Sequence, residues 1–203
     1  MRSACALSAL ALAACASLSS DGDARARAER VFRESFSHGN RQMAARVEQQ
    51  DPAQALCTLY RNEPPKDVAA QIESAQGASM RYPSSGKLLG DWRQGEKIAQ
   101  DGYGLRFTDR DAQRPNGGNC YNCHRIAPAE ISFGTIGPSL YRFGALRGTG
   151  EATQKYVYGK IYDSQASVAC SQMPRFGHNG VLTEEQITHL VALLLDPDSP
   201  VNK

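Results

Sequence analysis

The residues best placed to do chemistry fall in one short run, Gly117-Gly118-Asn119-Cys120-Tyr121-Asn122-Cys123-His124. Two cysteines three positions apart with a histidine directly behind them suit three chemistries: a zinc site, a redox disulfide, or covalent attachment of a haem. In haem attachment, two thiols form thioether bonds to the porphyrin vinyl groups, and the adjacent imidazole supplies an axial nitrogen to the iron. One helical turn between the sulfurs sets both along one porphyrin edge. Zinc calls for a second pair of ligands at similar spacing, and the distant Cys57 and Cys170 form no such pair. A thioredoxin-type pair belongs in a βαβ setting, which the surrounding helix-and-loop pattern lacks. Haem c is therefore the expected cofactor, attached at Cys120 and Cys123 with His124 on the iron.

The sixth coordination position decides between electron transfer and ligand binding, and methionine or histidine would fill it. The candidates are Met43, Met80, Met173, His38, His178 and His189. Met173 leads, because Ser171-Gln172-Met173-Pro174-Arg175-Phe176-Gly177 is a loop without the helical spacing that would explain methionine as core filling. His178 is its rival, and a loop methionine plugging a gap is the plain alternative. His189 sits inside the last helical pattern and reads as a surface residue.

These residues need elements to hold them. The chain has 203 residues, 41% apolar and 22% charged, with a formal net charge of +2 and no run of like charges. That suits one domain with an appendage and gives no footprint for nucleic acid. The first fifteen residues hold one charge, Arg2, and then an apolar stretch shorter than the roughly 20 residues that span a bilayer, so residues 1–14 read as an export signal. Leu12-Ala13-Ala14-Cys15 resembles a bacterial lipobox, which makes Cys15 a lipidated first residue; Ala14-Cys15-Ala16 reads equally as an ordinary small-x-small cleavage site. Either way the expected location is the periplasm, with a lipid anchor on the first reading. Cys57 and Cys170 then remain as an even pair in an oxidising compartment, where a disulfide is the default; two unrelated buried thiols are the alternative.

Residues 21–80 read as a helical extension: Asp51-Pro52 opens one helix, Pro64-Pro65 stops it, and Val68, Ile72 and Ala75 mark the next, closed by Gly77. Residues 81–203 read as the haem domain. Asp91 caps a helix through Gln100, a loop leads into the cysteine motif, a helix is expected over 151–163, and Thr183 with Gln186 forms a capping box ahead of Ile187, Leu190, Val191 and Leu194. Strand signals are weak, and the fold class is mainly α.

This order of helix, Cys-x-x-Cys-His, Gly137-Pro138-Ser139-Leu140, Met173-Pro174 and C-terminal helix resembles class I cytochromes c. The resemblance implies that the Pro138 carbonyl accepts a hydrogen bond from His124. Over most of the mature chain, "YPSSGKLLGDWRQGEKIAQDGYGLRF", "GTIGPSLYRFG" and "CSQMPRFGHNGVLTEEQITHLVALLLDPDSPVNK" look like the SoxX family, the monohaem cytochrome subunits of SoxXA complexes. That resemblance implies a heterodimer with SoxA, where thiosulfate is conjugated to a cysteine of the SoxYZ carrier in an L-cysteine S-thiosulfotransferase reaction. The sulfur chemistry would sit on SoxA, and this chain would accept the electrons and pass them to a small cytochrome c, with His124 and Met173 as axial ligands. Tyr156 and Tyr158 flank the haem on this view, or are ordinary half-buried tyrosines; Arg125, Arg142 and Arg175 steer a partner or pair with propionates, or stand solvated. A freestanding electron shuttle, a haem sensor or peroxidase with labile methionine ligation, and a structural metal-binding lipoprotein are the rival functions.

Overall fold

The computed structural model describes residues 21–35, 49–104, 106, 108–111 and 113–203. The leader 1–14, Cys15, His38 and Met43 lie outside the described residues. The chain divides into two compact units, Met1–Ser37 and His38–Lys203. The described part of the first is helix α1 (Asp21–Ser35), where Arg25 Nε donates to Glu29 Oε1 at 2.9 Å and the Ser35 hydroxyl donates to the Val31 carbonyl at 2.7 Å.

The second unit holds α2 (Pro52–Leu59), α3 (Lys66–Ala78), α4 (Trp92–Gln100), α5 (Phe143–Arg147), α6 (Glu151–Tyr162) and α7 (Glu184–Leu195), with short 3-10 turns at Cys120–Asn122, Ser164–Ala166 and Pro200–Asn202. No strand occurs among the described residues, and the fold is mainly α. The caps follow local sequence. Asp51 accepts the Gln54 amide at 2.9 Å while the Gln54 side chain accepts the Asp51 amide at 3.0 Å, and Pro52 fits the first turn, where its missing N–H costs nothing. Thr183 and Gln186 make the same reciprocal pair at the start of α7. One expected stop moves: α3 runs through Gly77 to Ala78, and Ser79 ends it with its hydroxyl on the Gln76 carbonyl at 2.9 Å.

Helices α4 and α7 make the most extensive contact in the unit. Their approach is set by Gly95, where a Cβ would fall 2.1 Å from the His189 carbonyl oxygen. Ile187 and Val191 of α7 are wholly buried there, each worth about 2 kcal/mol of burial. Val157, Tyr158, Ile161 and Tyr162 of α6 complete this core with Ile126, Leu182 and Val201, and Cys120, Leu140 and Met173 pack on its margin.

A second, smaller core joins α2 and α3 to the segment after α6. Ala53, Cys57, Ile72 and Cys170 are buried in it, with Leu56 and Val68 at its edge. A disulfide links Cys57 to Cys170, whose Cα atoms stand 5.4 Å apart across a sequence separation of 113. The Ala169 amide also donates to Glu73 Oε1 of α3 at 3.0 Å. Helices α2 and α3 thus belong to the same compact unit as the cysteine motif.

Candidate functional site

The motif begins at Asn119, in left-handed backbone (φ 47°), which turns the chain into the single 3-10 turn Cys120–Asn122. The Cys123 and His124 amides both donate to the Cys120 carbonyl, at 3.1 and 2.9 Å, closing the turn. Behind it, the Gly118 amide donates to the Ile98 carbonyl at the end of α4 at 2.8 Å. In front, the following loop is zipped onto it by backbone bonds: Gly134 to the Tyr121 carbonyl at 2.8 Å, Gly137 to Cys123 at 2.9 Å and Leu140 to Arg125 at 2.8 Å. The motif is therefore clamped on both sides by main chain, whose bonds do not depend on rotamers.

Cys120 and Cys123 are both free thiols, not joined to each other. Burial pushes the Cys120 thiol up to about 12, only partly offset by a backbone hydrogen bond, so this sulfur is a neutral thiol at ordinary pH. Tyr121 between them is pushed up to about 12, mainly by burial and further by the negative charges of Glu96 and Glu130.

His124 Nδ1 lies 2.8 Å from the Pro138 carbonyl oxygen. A carbonyl can only accept, so Nδ1 carries a proton, and in the neutral ring this leaves the lone pair on Nε2. The ring fits because residue 137 is glycine: a Cβ there would stand 2.2 Å from His124 Cε1. The same loop exposes large apolar side chains, Ile131 at 96% and Ile136 at 81%, with Phe133 less so. Arg125 lies between two rings, its guanidinium 5.7 Å from the Phe133 centroid and 5.5 Å from that of Tyr141.

Met173 is half-buried on an arm fixed at its backbone. Its carbonyl accepts the Ser164 hydroxyl at 2.6 Å, and its amide donates to the Ser171 hydroxyl at 3.3 Å. It packs on the same apolar core as Cys120. The rival histidines are otherwise engaged. His178 Nδ1 stands 3.2 Å from the buried Asp163 Oδ2, near enough for ion pairing though without hydrogen-bond alignment, and 3.5 Å from the Ser79 hydroxyl. His189, expected on the surface, is mostly buried, and its Nδ1 accepts the Asp91 amide at 2.8 Å, so it caps α4 from α7. Met80 packs against the core beside Gly159.

Two further expectations change. Arg175 is not a steering residue: it is 4% exposed and donates to Gln76 Oε1 at 3.0 Å and to the Asp51 carboxylate. Burial would raise Asp51, but the Gln54 amide and Arg175 outweigh it and hold the carboxyl below its ordinary value. The two tyrosines differ sharply. Tyr156 is exposed, whereas Tyr158 is wholly buried, stacks on Tyr82 and Tyr162, and has a hydroxyl without a partner. Burial pushes that phenol upward. Asp51 and Gln76 escaped sequence reasoning as anchors of the methionine arm; only their polarity next to apolar helix positions marks them.

No family model matches the chain. A protein of Aquifex aeolicus (strain VF5), described as an uncharacterized lipoprotein, is 38% identical over 157 residues, covering 76% of this chain and 73% of that protein. The chain belongs to that lipoprotein's family. A shared stretch of this length is far longer than the cysteine motif.

Proposed function

We propose that this chain is a c-type cytochrome with a class I cytochrome c-like haem domain, working as the SoxX-type electron-transfer subunit of a SoxXA complex. The observation that carries the reading is the His124 Nδ1–H to Pro138 carbonyl bond of 2.8 Å, beside two unpaired cysteines on one tight turn. That bond fixes the tautomer and raises the donor strength of Nε2, as the outer partner of a metal-binding imidazole does. Other features fit a haem. A porphyrin brings four nitrogens of its own and asks the chain for only two further donors. The exposed Ile131, Phe133 and Ile136 offer apolar surface to a flat apolar group, and the orphaned Tyr158 hydroxyl is a buried donor that an enclosed propionate would satisfy.

A haem bound here supplies one-electron exchange at iron. Cys120 and Cys123 would tether it, and His124 Nε2 and the Met173 thioether would be the side chains that hold its iron. The clamped motif turn holds the imidazole in one orientation, and the Met173 arm is held by Ser164, the Cys57–Cys170 disulfide and the Arg175 pair, which limits rearrangement between oxidation states. A thioether donor sets a higher reduction potential than a second nitrogen, which favours electron acceptance. With His124 and Met173 both holding the iron, the chain would offer a sulfur substrate no open position, which suits a relay of electrons while thiosulfate chemistry at the SoxYZ cysteine would belong to SoxA. A small cytochrome c receives the electrons. The lipoprotein relative supports a lipid-anchored, membrane-associated chain; on this reading Cys15 carries the lipid and the chain acts in the periplasm.

Reconstitution with SoxA-type and SoxYZ-type partners tests the reading: thiosulfate-dependent turnover should need this chain. Turnover unaffected by its omission contradicts it. Haem content with no SoxA-type partner on purification points to a freestanding shuttle, and ready carbon monoxide binding by the ferrous protein points to a sensor or peroxidase.

A further inference from the structure

The Cys57–Cys170 disulfide lines an open pocket of about 290 Å³ between α2 and residues 165–179, to which both half-cystines contribute. The remaining wall is polar, with the carboxamides of Gln54, Asn62 and Gln165 among its groups. Gln165 in this wall is 7% exposed, and its side-chain oxygen is enclosed without a partner. Met173 lines the same space, three residues after Cys170. Cys170 itself sits at φ 58°, a left-handed backbone that costs a residue with a Cβ and persists only where its surroundings enforce it.

We propose that this disulfide is a reducible latch on the Met173 arm, opened by a dithiol that enters the cavity. One thiolate of the dithiol attacks a cystine sulfur, the S–S bond breaks, and the other cysteine leaves as thiolate and takes up a proton. The second thiol of the dithiol then attacks the mixed disulfide, closing its own ring and releasing the second cysteine as a thiol. Two electrons pass from dithiol to cystine, and the iron takes no part. Opening removes the covalent tie between α2 and the arm and lets Cys170 relax from its left-handed backbone. The arm then keeps its non-covalent ties, among them the Ser164 hydroxyl on the Met173 carbonyl, the pairing of Arg175 with Asp51 and Gln76, and the Gly177 and His178 amides on the Tyr162 carbonyl. The consequence at the metal, an easier departure of the Met173 thioether, rests on the haem reading; the exchange step does not.

The test uses the full chain in native buffer with dithiothreitol as the probe. Alkylation and peptide mapping read the thiols of Cys57 and Cys170, hydrogen exchange reads the amides of 170–176, and carbon monoxide binding is measured with the iron ferrous in both disulfide states. Expected results are two new thiols without unfolding, at least tenfold faster exchange over 170–176, and at least tenfold faster carbon monoxide binding. The double variant Cys57→Ser/Cys170→Ser should reproduce the last two without any reductant. Absence of the new thiols until denaturant is added overturns the proposal, as does their appearance with unchanged exchange over 170–176. Thiols and faster exchange together with carbon monoxide binding that is equally fast in both disulfide states would uphold the latch and contradict methionine ligation.

Discussion

Replacing Gly137 with alanine puts a methyl group where the His124 ring stands. An ideal Cβ falls 2.2 Å from Cε1 and 2.5 Å from Nδ1, against an ordinary carbon contact of about 3.5 Å. Ring or loop must then retreat by roughly 1 Å. The bond at risk is His124 Nδ1–H to the Pro138 carbonyl, 2.8 Å long; stretched by that amount it is no longer a hydrogen bond. Losing it costs about 1 kcal/mol, and forcing an extra methyl into a closed contact costs about 1–3 kcal/mol more. For a chain of this size, thermal unfolding followed by circular dichroism should fall by roughly 10 °C. With haem attached, losing the outer partner of a metal-binding imidazole should weaken its hold on iron about 10- to 100-fold, read as easier replacement by added imidazole. A variant that melts within about 2 °C of the parent and binds added imidazole no better would show that Gly137 does not set the position of His124.

Arg175→Met breaks a buried ion pair and strands Gln76, a loss of about 3 kcal/mol, tempered because the Asp51 side chain is about a third exposed; chemical denaturation at neutral pH measures it. The pH dependence has a definite sign. Asp51 is held below its ordinary value of 3.8 in the folded chain, so its contribution is present above that value and is lost as pH falls through the lower folded value. The gap between parent and variant should therefore narrow below about pH 4, and a gap constant with pH would contradict the pairing. Gly95→Ala drives a methyl into the His189 backbone at 2.1 Å, where no side chain can swing away. A loss of about 3 kcal/mol or more is expected from denaturant midpoints, and a neutral result would mean α4 and α7 do not cross as described.

Much of the scaffold is legible because its signals are local. The capping boxes at Asp51 and Thr183 each lie within four residues, and the apolar spacing of α7 matches the face it buries. Gly77 misled because a glycine ends a helix only when the chain needs left-handed backbone there, and Ser79 supplied another stop. The five-residue helix α5 carries too little periodicity to be seen. Around the candidate site, the adjacency of Cys120, Cys123 and His124 can be read directly, since the motif is contiguous. Arg175 and His189 could not be placed, because their roles depend on partners 124 and 98 positions away, Asp51 and the Asp91 amide. Nothing in a single loop arginine or helix histidine announces a partner that only the fold brings near.

A porphyrin tethered to this chain by two sulfurs is the central requirement of the proposed role. Intact-mass spectrometry of the denatured protein, made in a host that attaches haem c, addresses this directly, with peptide mapping over residues 117–128. The predicted result is a mass one haem above that of the processed chain, with Cys120 and Cys123 both carrying the adduct and refusing alkylation. A chain at its own mass, with both thiols alkylated in full, would contradict it.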